Sequence, residues 1–137
     1  MGDPAQESWR VMRELVLSYD HRKEVSDALG LSFVRLKALL RLLEQPLTLR
    51  ELAGALGTDP PYTTLIVADL ERRGLAERAP HASDRRARIV TITDAGAELA
   101  RRADDMLAQP PAALLALPRE DQDALARILA SLGATAG

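Results

Sequence analysis

Apolar residues recur every three or four positions along most of this sequence, the spacing that places side chains on one face of an α-helix. The first such stretch begins after Ser8, a residue type that caps helices, and runs to Leu29 ahead of Gly30. A second begins at Ser32 and stops before Pro46, where a helix ordinarily ends. The pattern predicts one long amphipathic helix followed by a shorter, well-buried helix.

Two short helices joined by a tight turn are predicted next. Thr48 and Glu51 have the separation of a capping box, and the helix that they start ends at Gly57. Asp59 can then cap a second helix, which has two prolines in its first turn and ends at Gly74. This arrangement is a helix-turn-helix.

Beyond this unit the pattern changes to short runs of β-prone residues. The runs span residues 75–79 and 87–92, and residues 80–86 join them. Residues 78–88 hold four arginines and a histidine against a single aspartate. We therefore predict an antiparallel hairpin with a basic tip.

The rest of the chain returns to helical spacing. A helix opens at Thr93 or Asp94, is interrupted at Pro110–Pro111, and is followed by a last helix from Pro118 to Gly133. The predicted fold class is mainly α with a small β-hairpin (α+β).

Composition narrows the function classes. The chain has 137 residues, the size of one domain, and no apolar run long enough to span a membrane, so we expect a soluble cytoplasmic protein. It has no cysteine, and its two histidines are far apart, so we expect no metal and no cofactor. Because it also lacks a glycine-rich phosphate loop and a serine nucleophile motif, we expect no enzyme activity.

The net charge of −2 gives no reason to expect nucleic acid, but the order of elements does. A helix of a helix-turn-helix fits the major groove of DNA, and a basic hairpin directly after it can reach the flanking backbone and the minor groove. We therefore expect double-stranded DNA as a partner.

At this point the sequence resembles the MarR family of winged helix-turn-helix transcriptional regulators. The most specific stretch is Asp84-Arg85-Arg86 followed by the second strand. The full ordered set that carries the resemblance is Leu49 to Ala53, Leu56-Gly57, Leu70 to Leu75, Arg78, Asp84 to Arg86, Val90 to Thr93, and Gly96.

The resemblance implies a single domain over residues 1–137, with a winged helix-turn-helix core at 32–100 and dimerisation helices at 8–30 and 101–133. It also implies a homodimer that binds a palindromic operator, and most commonly a repressor relieved by a small aromatic or phenolic effector. The apolar stripes of the last helix independently predict an intersubunit surface, because a small winged helix cannot bury all of these side chains.

The resemblance assigns roles to the residues of the hairpin, or wing. Arg86 matches the arginine that enters the minor groove, and Asp84 matches the acid that holds the wing in shape. Arg85 and Arg88 match less fixed phosphate contacts. An arginine-rich loop taken alone is more often a solvated turn; its position after a helix-turn-helix favours the DNA interpretation.

The second helix of the helix-turn-helix, the recognition helix, departs from the family pattern. Thr64-Leu65 stands where an arginine commonly follows the threonine, and Asp69 is expected to repel phosphate. Its hydroxyl groups can hydrogen-bond to DNA, whereas its prolines and leucine can make only apolar contacts, such as to thymine methyl groups. The candidate DNA-binding residues here are Asp59, Pro60, Pro61, Tyr62, Thr63, Thr64 and Leu65.

Four residues of the first helix are candidates for an effector pocket: Trp9, Met12, Arg13 and Tyr19. Packing in a dimer core is the commoner role for the two aromatic residues, and His21 is expected on the surface with no role. One alternative function also stays open. A winged helix used only for protein interaction would fit the weakly polar recognition helix and would have no affinity for duplex DNA.

Overall fold

The structure is a computed structural model that describes residues 2–83 and 87–135. The described part is mainly helical with one small antiparallel sheet, which confirms the predicted fold class. Its elements in chain order are α1 (Pro4–Ser18), α2 (Arg22–Leu29), α3 (Phe33–Glu44), β1 (Leu47–Thr48), α4 (Leu49–Leu56), α5 (Pro60–Arg72), β2 (Ala76–Pro80), β3 (Arg88–Ile92), α6 (Asp94–Leu107), α7 (Ala112–Leu115) and α8 (Arg119–Thr135).

The predicted long N-terminal helix is two helices, and the prediction of one helix over 8–29 is wrong. Tyr19 leaves the helical region, with φ −94° and ψ 75°. Asp20 then accepts a hydrogen bond from the backbone N–H of Arg22 (3.0 Å) and starts α2. A short acidic side chain competes in this way with the helix backbone. As a consequence α2 packs against α3 and α6, and its Val25 is fully buried.

The helix-turn-helix consists of α4 and α5 and follows its predicted caps. Thr48 accepts a hydrogen bond from the N–H of Glu51 (3.1 Å), and the Glu51 carboxylate accepts one from the N–H of Thr48 (3.0 Å), which lowers the pKa of Glu51. Gly57 ends α4 with φ +67°, a conformation that favours glycine. Asp59 caps α5 as predicted.

The hairpin of β2 and β3 also forms as predicted, and it belongs to a larger sheet. A third strand, β1, pairs antiparallel with β3 through Leu47 and Val90, which gives the order β1-β3-β2. The sequence pattern did not predict β1, because a strand of two residues, the second of which is the cap of α4, shows no periodicity. This strand fixes the base of the wing against the start of α4.

The hydrophobic core lies inside the winged helix and its two flanking helices. Helices α2, α3 and α6 pack together, and α3 also packs against α4 and the sheet. The largest fully buried side chains are Leu36, Leu39, Leu42, Leu52, Ile66, Leu70, Val25, Val67, Val90 and Thr63.

A close approach between the start of α6 and the end of α5 orients the wing. Thr93 donates its hydroxyl hydrogen to the carbonyl of Gly74 (2.7 Å) and accepts a hydrogen bond from the N–H of Gly96 (3.1 Å). A Cβ atom at Gly96 would lie 2.1 Å from the carbonyl oxygen of Leu75, so no larger residue fits there without a backbone shift. This contact explains the glycine of the sequence motif.

The two terminal helices, α1 and α8, differ from the core in having exposed apolar side chains. Helix α1 starts at Pro4 after the N-cap Asp3, earlier than predicted from Ser8, and has no buried residue. The exposed apolar residues of α1, α8 and the segment before α8 are Trp9, Val11, Leu15, Val16, Leu17, Leu115, Leu117, Ile128, Leu129 and Leu132. Within the described ranges, no helix combines the length and the apolar content that crossing a membrane requires.

Candidate nucleic-acid interface

The N-terminal half of the recognition helix, α5, begins with a side-chain cap at Asp59. The Asp59 carboxylate accepts a hydrogen bond from the N–H of Tyr62 (2.8 Å). Pro60 and Pro61 occupy the first helical positions, where a missing N–H costs no hydrogen bond. All four of these residues are exposed, so this end of the helix is available to a partner.

Thr63 is an exception among the candidate contacts. Its side chain is fully buried, and its hydroxyl donates to the carbonyl of Asp59 (2.8 Å) and lies 2.7 Å from the hydroxyl of Thr58. The expectation that Thr63 contacts DNA is therefore wrong, because the hydroxyl is used to close the turn of the helix-turn-helix.

The remaining side chains of this half-helix point outward. Leu65 is 63% exposed and Tyr62 is 41% exposed. Thr64 is exposed as well, and its hydroxyl donates to the carbonyl of Pro60 (3.1 Å). The outer surface of the first two turns is thus largely apolar, as the sequence indicates.

A cavity of about 790 Å³ separates the recognition helix from the wing. Pro60 and Thr64 line one side, and Arg88 at the start of β3 lines another. Arg50, in the first turn of α4, completes the set of charged lining residues. Within the described residues, neither Arg50 nor Arg88 has a carboxylate partner. Two uncompensated guanidinium groups thus border the same open surface.

Arg50 was missed as a site residue by the sequence analysis. It belongs to the motif that carries the family resemblance, but its position near Arg88 depends on the pairing of β1 with β3. The predictions for Asp84, Arg85 and Arg86 lie outside the described residues.

The C-terminal half of the recognition helix carries a cluster of ion pairs. The Asp69 carboxylate accepts hydrogen bonds from Arg35 of α3 (2.8 Å), Arg72 (2.9 Å) and Arg73 (3.0 Å), and Arg73 also donates to the carbonyl of Gly30 (3.4 Å). These bonds, that of Arg72 foremost, lower the pKa of Asp69 to about 2. Three guanidinium groups offset the charge of this one carboxylate, which reduces the repulsion of phosphate expected from Asp69.

A second ion pair joins the recognition helix to the wing. Arg78 of β2 lies 2.7 Å from the Glu71 carboxylate, and both side chains are 31% exposed. Arg78 therefore has a carboxylate partner, although it belongs to the basic segment 78–88 of the sequence. With Asp69 bound to α3, the recognition helix is held by charge pairs on two sides.

One of the four effector candidates lines a cavity. Tyr19 borders a cavity of about 380 Å³ together with Val16, Leu17, Asp20, His21, Arg22 and Leu107. Its hydroxyl donates to the carbonyl of Gln109 (2.9 Å) and contacts the Nε2 atom of His21. Trp9 and Arg13 are exposed and Met12 is half-buried, and none of the three lines this cavity.

His21 is more enclosed than the sequence suggested. Its side chain is 23% exposed, and its ring packs edge-on against Tyr19 with 4.1 Å between the ring centroids. Over the described ranges, no group of three or more acidic or histidine side chains is arranged to hold a metal ion.

Comparison with known proteins agrees with this geometry. The MarR family model matches residues 33–87, which include the helix-turn-helix and the first strand of the wing, β2. No curated protein matches the chain in sequence.

Solved structures share the fold over nearly the whole chain. Wild-type MarR from E. coli has 21% sequence identity and a TM-score of 0.75, with 90% of this chain and 93% of that one covered. The transcriptional repressor CouR, bound to a 23-mer DNA duplex, has 28% identity and a TM-score of 0.64, with 92% and 91% covered. NadR in complex with 4-hydroxyphenylacetate has 21% identity and a TM-score of 0.65, with 96% and 93% covered.

These matches agree with the arrangement of recognition helix, wing and guanidinium groups in the described part of the chain. Over residues 33–87 the chain is similar to the MarR family, and it has the winged helix-turn-helix fold of MarR from E. coli and of the DNA-bound repressor CouR.

Proposed function

We propose that this protein is a sequence-specific repressor that binds a palindromic operator as a homodimer and responds to a small ligand. The observation that carries DNA binding is that Arg50 and Arg88, which have no carboxylate partner among the described residues, line one cavity with Pro60 and Thr64 of the exposed start of the recognition helix. Proteins of this family are generally not enzymes.

The positions of the two arginines suit the backbone of a duplex. The start of α5 is narrow and exposed and fits a major groove about 12 Å wide. Arg50 and Arg88 then face the phosphates that border the groove, where guanidinium groups bind by charge and paired hydrogen bonds. Arg86 keeps its implied role in the minor groove and Arg85 its role as a phosphate contact, while Asp84 keeps the role of holding the wing in shape.

The terminal helices supply the argument for a homodimer. Trp9 is 62% exposed, Val16 is 73% exposed and Ile128 is 49% exposed. A monomer rarely exposes a large apolar patch, so this many exposed apolar side chains on two helices favour an interface. A symmetric pair of such surfaces gives a twofold dimer, whose two recognition helices match a palindromic site.

The cavity at Tyr19 is the proposed effector site. Its volume of about 380 Å³ is in the range that holds a small molecule. The Arg22 guanidinium pairs with Asp20 (3.0 Å), and a ligand carboxylate would take the place of that carboxylate. A ligand phenol would exchange with the bonds that the Tyr19 hydroxyl and the His21 ring make to Gln109, to Glu24 and to each other. NadR, which shares the fold, binds a compound with both groups, and CouR is a repressor.

Selection of bound duplexes from a random pool tests the proposal. We expect an enriched sequence with twofold symmetry, and we expect an Arg50→Ala/Arg88→Ala double variant to lose most affinity for it while keeping the fold. Lys37→Ala, a change on α3 outside the proposed surface, is the matched control and should bind normally.

A pool with no enriched duplex would contradict the proposal and would favour a winged helix that serves protein interaction. Enrichment of a sequence without symmetry would contradict the homodimeric part alone.

A further inference from the structure

The surface with which the recognition helix would enter the major groove has little capacity for polar contacts. Leu65 is its most exposed large apolar side chain, at 63%, and Tyr62 lies beside it at 41%. Pro60 and Pro61 add apolar ring surface and have no N–H to donate.

Apart from the Tyr62 hydroxyl, the polar groups on these two turns are largely used within the protein. The Asp59 carboxylate caps the helix, and the Thr64 hydroxyl donates its hydrogen to the carbonyl of Pro60. Thr63 is buried. Among the described residues of this half-helix there is no lysine, arginine, asparagine or glutamine, the side chains that form paired hydrogen bonds to guanine or adenine.

The major groove offers one apolar group to such a surface. Each thymine carries a methyl group at C5, whereas the other edges of the natural bases present hydrogen-bond donors and acceptors. Leu65 is fixed on a regular helix and is held away from the core, so it can cover a methyl group without a change of the protein backbone.

We propose that Leu65 is a specificity-determining residue that recognises the C5 methyl group of thymine in the operator. This inference rests on the proposed DNA-binding function and adds the chemistry of base recognition to it. Arg50 and Arg88 bind phosphates in this scheme and supply affinity with little dependence on sequence.

Replacement of thymine by deoxyuridine tests the inference, because it removes only the methyl group and keeps base pairing. Each thymine of the selected operator is replaced in turn, and affinities are measured for the wild type and for Leu65→Ala. At one or two positions in each half-site we expect the wild type to lose about four-fold in affinity, the value for one buried methyl group. The same replacements should leave the affinity of Leu65→Ala unchanged.

Two further variants make the result specific. Leu65→Gln keeps the side-chain length but not its apolar end, and it should also be insensitive to deoxyuridine. Arg50→Ala should bind all duplexes more weakly while keeping the four-fold methyl effect, since it removes a phosphate contact. Because Leu65 is exposed, each Leu65 variant should keep the thermal midpoint of the wild type.

Equal deoxyuridine effects in the wild type and in Leu65→Ala would overturn the inference, and so would tight operator binding that is insensitive to every replacement. Both results would leave the proposed DNA-binding function intact. Absence of any bound duplex in the selection would overturn the proposed function and, with it, this inference.

Discussion

The winged-helix core and the terminal helices use the same residue type in opposite ways. In the core, Leu36, Leu39 and Leu52 are fully buried. In α8 and the segment before it, Leu115 is 61% exposed and Leu129 is 41% exposed. Both regions carry leucine at helical spacing, so the periodicity alone predicts burial for both. The chain therefore completes one core by itself and leaves other apolar side chains exposed, which the proposed dimer would cover.

The core and the terminal helices also differ in the polar contacts that hold their helices in place. Hydrogen bonds and ion pairs tie the helices of the core together, as Asp69 and Arg35 do between α5 and α3. The N-terminal helix has a single described polar link to the far end of α6, from the Tyr19 hydroxyl to the carbonyl of Gln109. We therefore expect the core to determine stability and the terminal helices to determine assembly.

Removal of the last helix should give the largest effect. Deletion of residues 118–137 removes α8 from the proposed dimer surface, and we expect the dimer to be lost, with monomers or aggregates in its place. The core contains no part of α8, so helical content elsewhere should persist. Sedimentation measures the assembly, and circular dichroism measures the fold. A truncated chain that remains fully dimeric would contradict the assignment of assembly to this helix.

A matched pair of leucine truncations should separate the two regions in one chain. Leu39→Ala opens a cavity in the core and should lower the free energy of unfolding by about 2–5 kcal/mol. Leu129→Ala removes the same atoms from an exposed position in α8 and should shift the dimer dissociation constant with little effect on core unfolding. Denaturant unfolding at several protein concentrations distinguishes these effects. If both variants lost the same free energy of unfolding at every protein concentration, the proposed difference between core and assembly leucines would be contradicted.

The ion-pair cluster should give a smaller effect with a defined pH dependence. The pKa of Asp69 is lowered from 3.8 to about 2, so its stabilising contribution is complete above the unfolded pKa and is lost as pH falls from 3.8 towards 2. Asp69→Asn should therefore lower the thermal midpoint at neutral pH, with a difference from the wild type that disappears near pH 2. A difference that is constant through this range would exclude the ionised carboxylate as its cause.

Local signals in the sequence predicted most elements of the fold. The capping pair at Thr48 and the closing glycine at position 57 each act within a few residues, so the order of residues along the chain is enough to predict them. The break at Tyr19 has a local cause as well, in the competing side chain of Asp20, but the helical periodicity on either side concealed it.

The features that the sequence did not predict depend on distant residues. Asp69 is neutralised by Arg35, which lies 34 positions away. Arg50 joins the site because β1 pairs with β3, and Thr63 is lost from it because that face of α5 packs into the core. The sequence was therefore enough to predict which residue types form the candidate site. The direction in which each side chain points could be determined only from the three-dimensional structure.

The central claim is that a dimer binds duplex DNA through charged groups around two recognition helices. Titration of the selected operator at rising salt, with sedimentation to count chains, tests it directly. We expect two chains for each duplex and a binding constant whose logarithm falls linearly with the logarithm of salt concentration, by about 0.9 for each phosphate contact. One chain for each duplex, or a binding constant that stays the same from about 50 to about 500 mM salt, would contradict the claim.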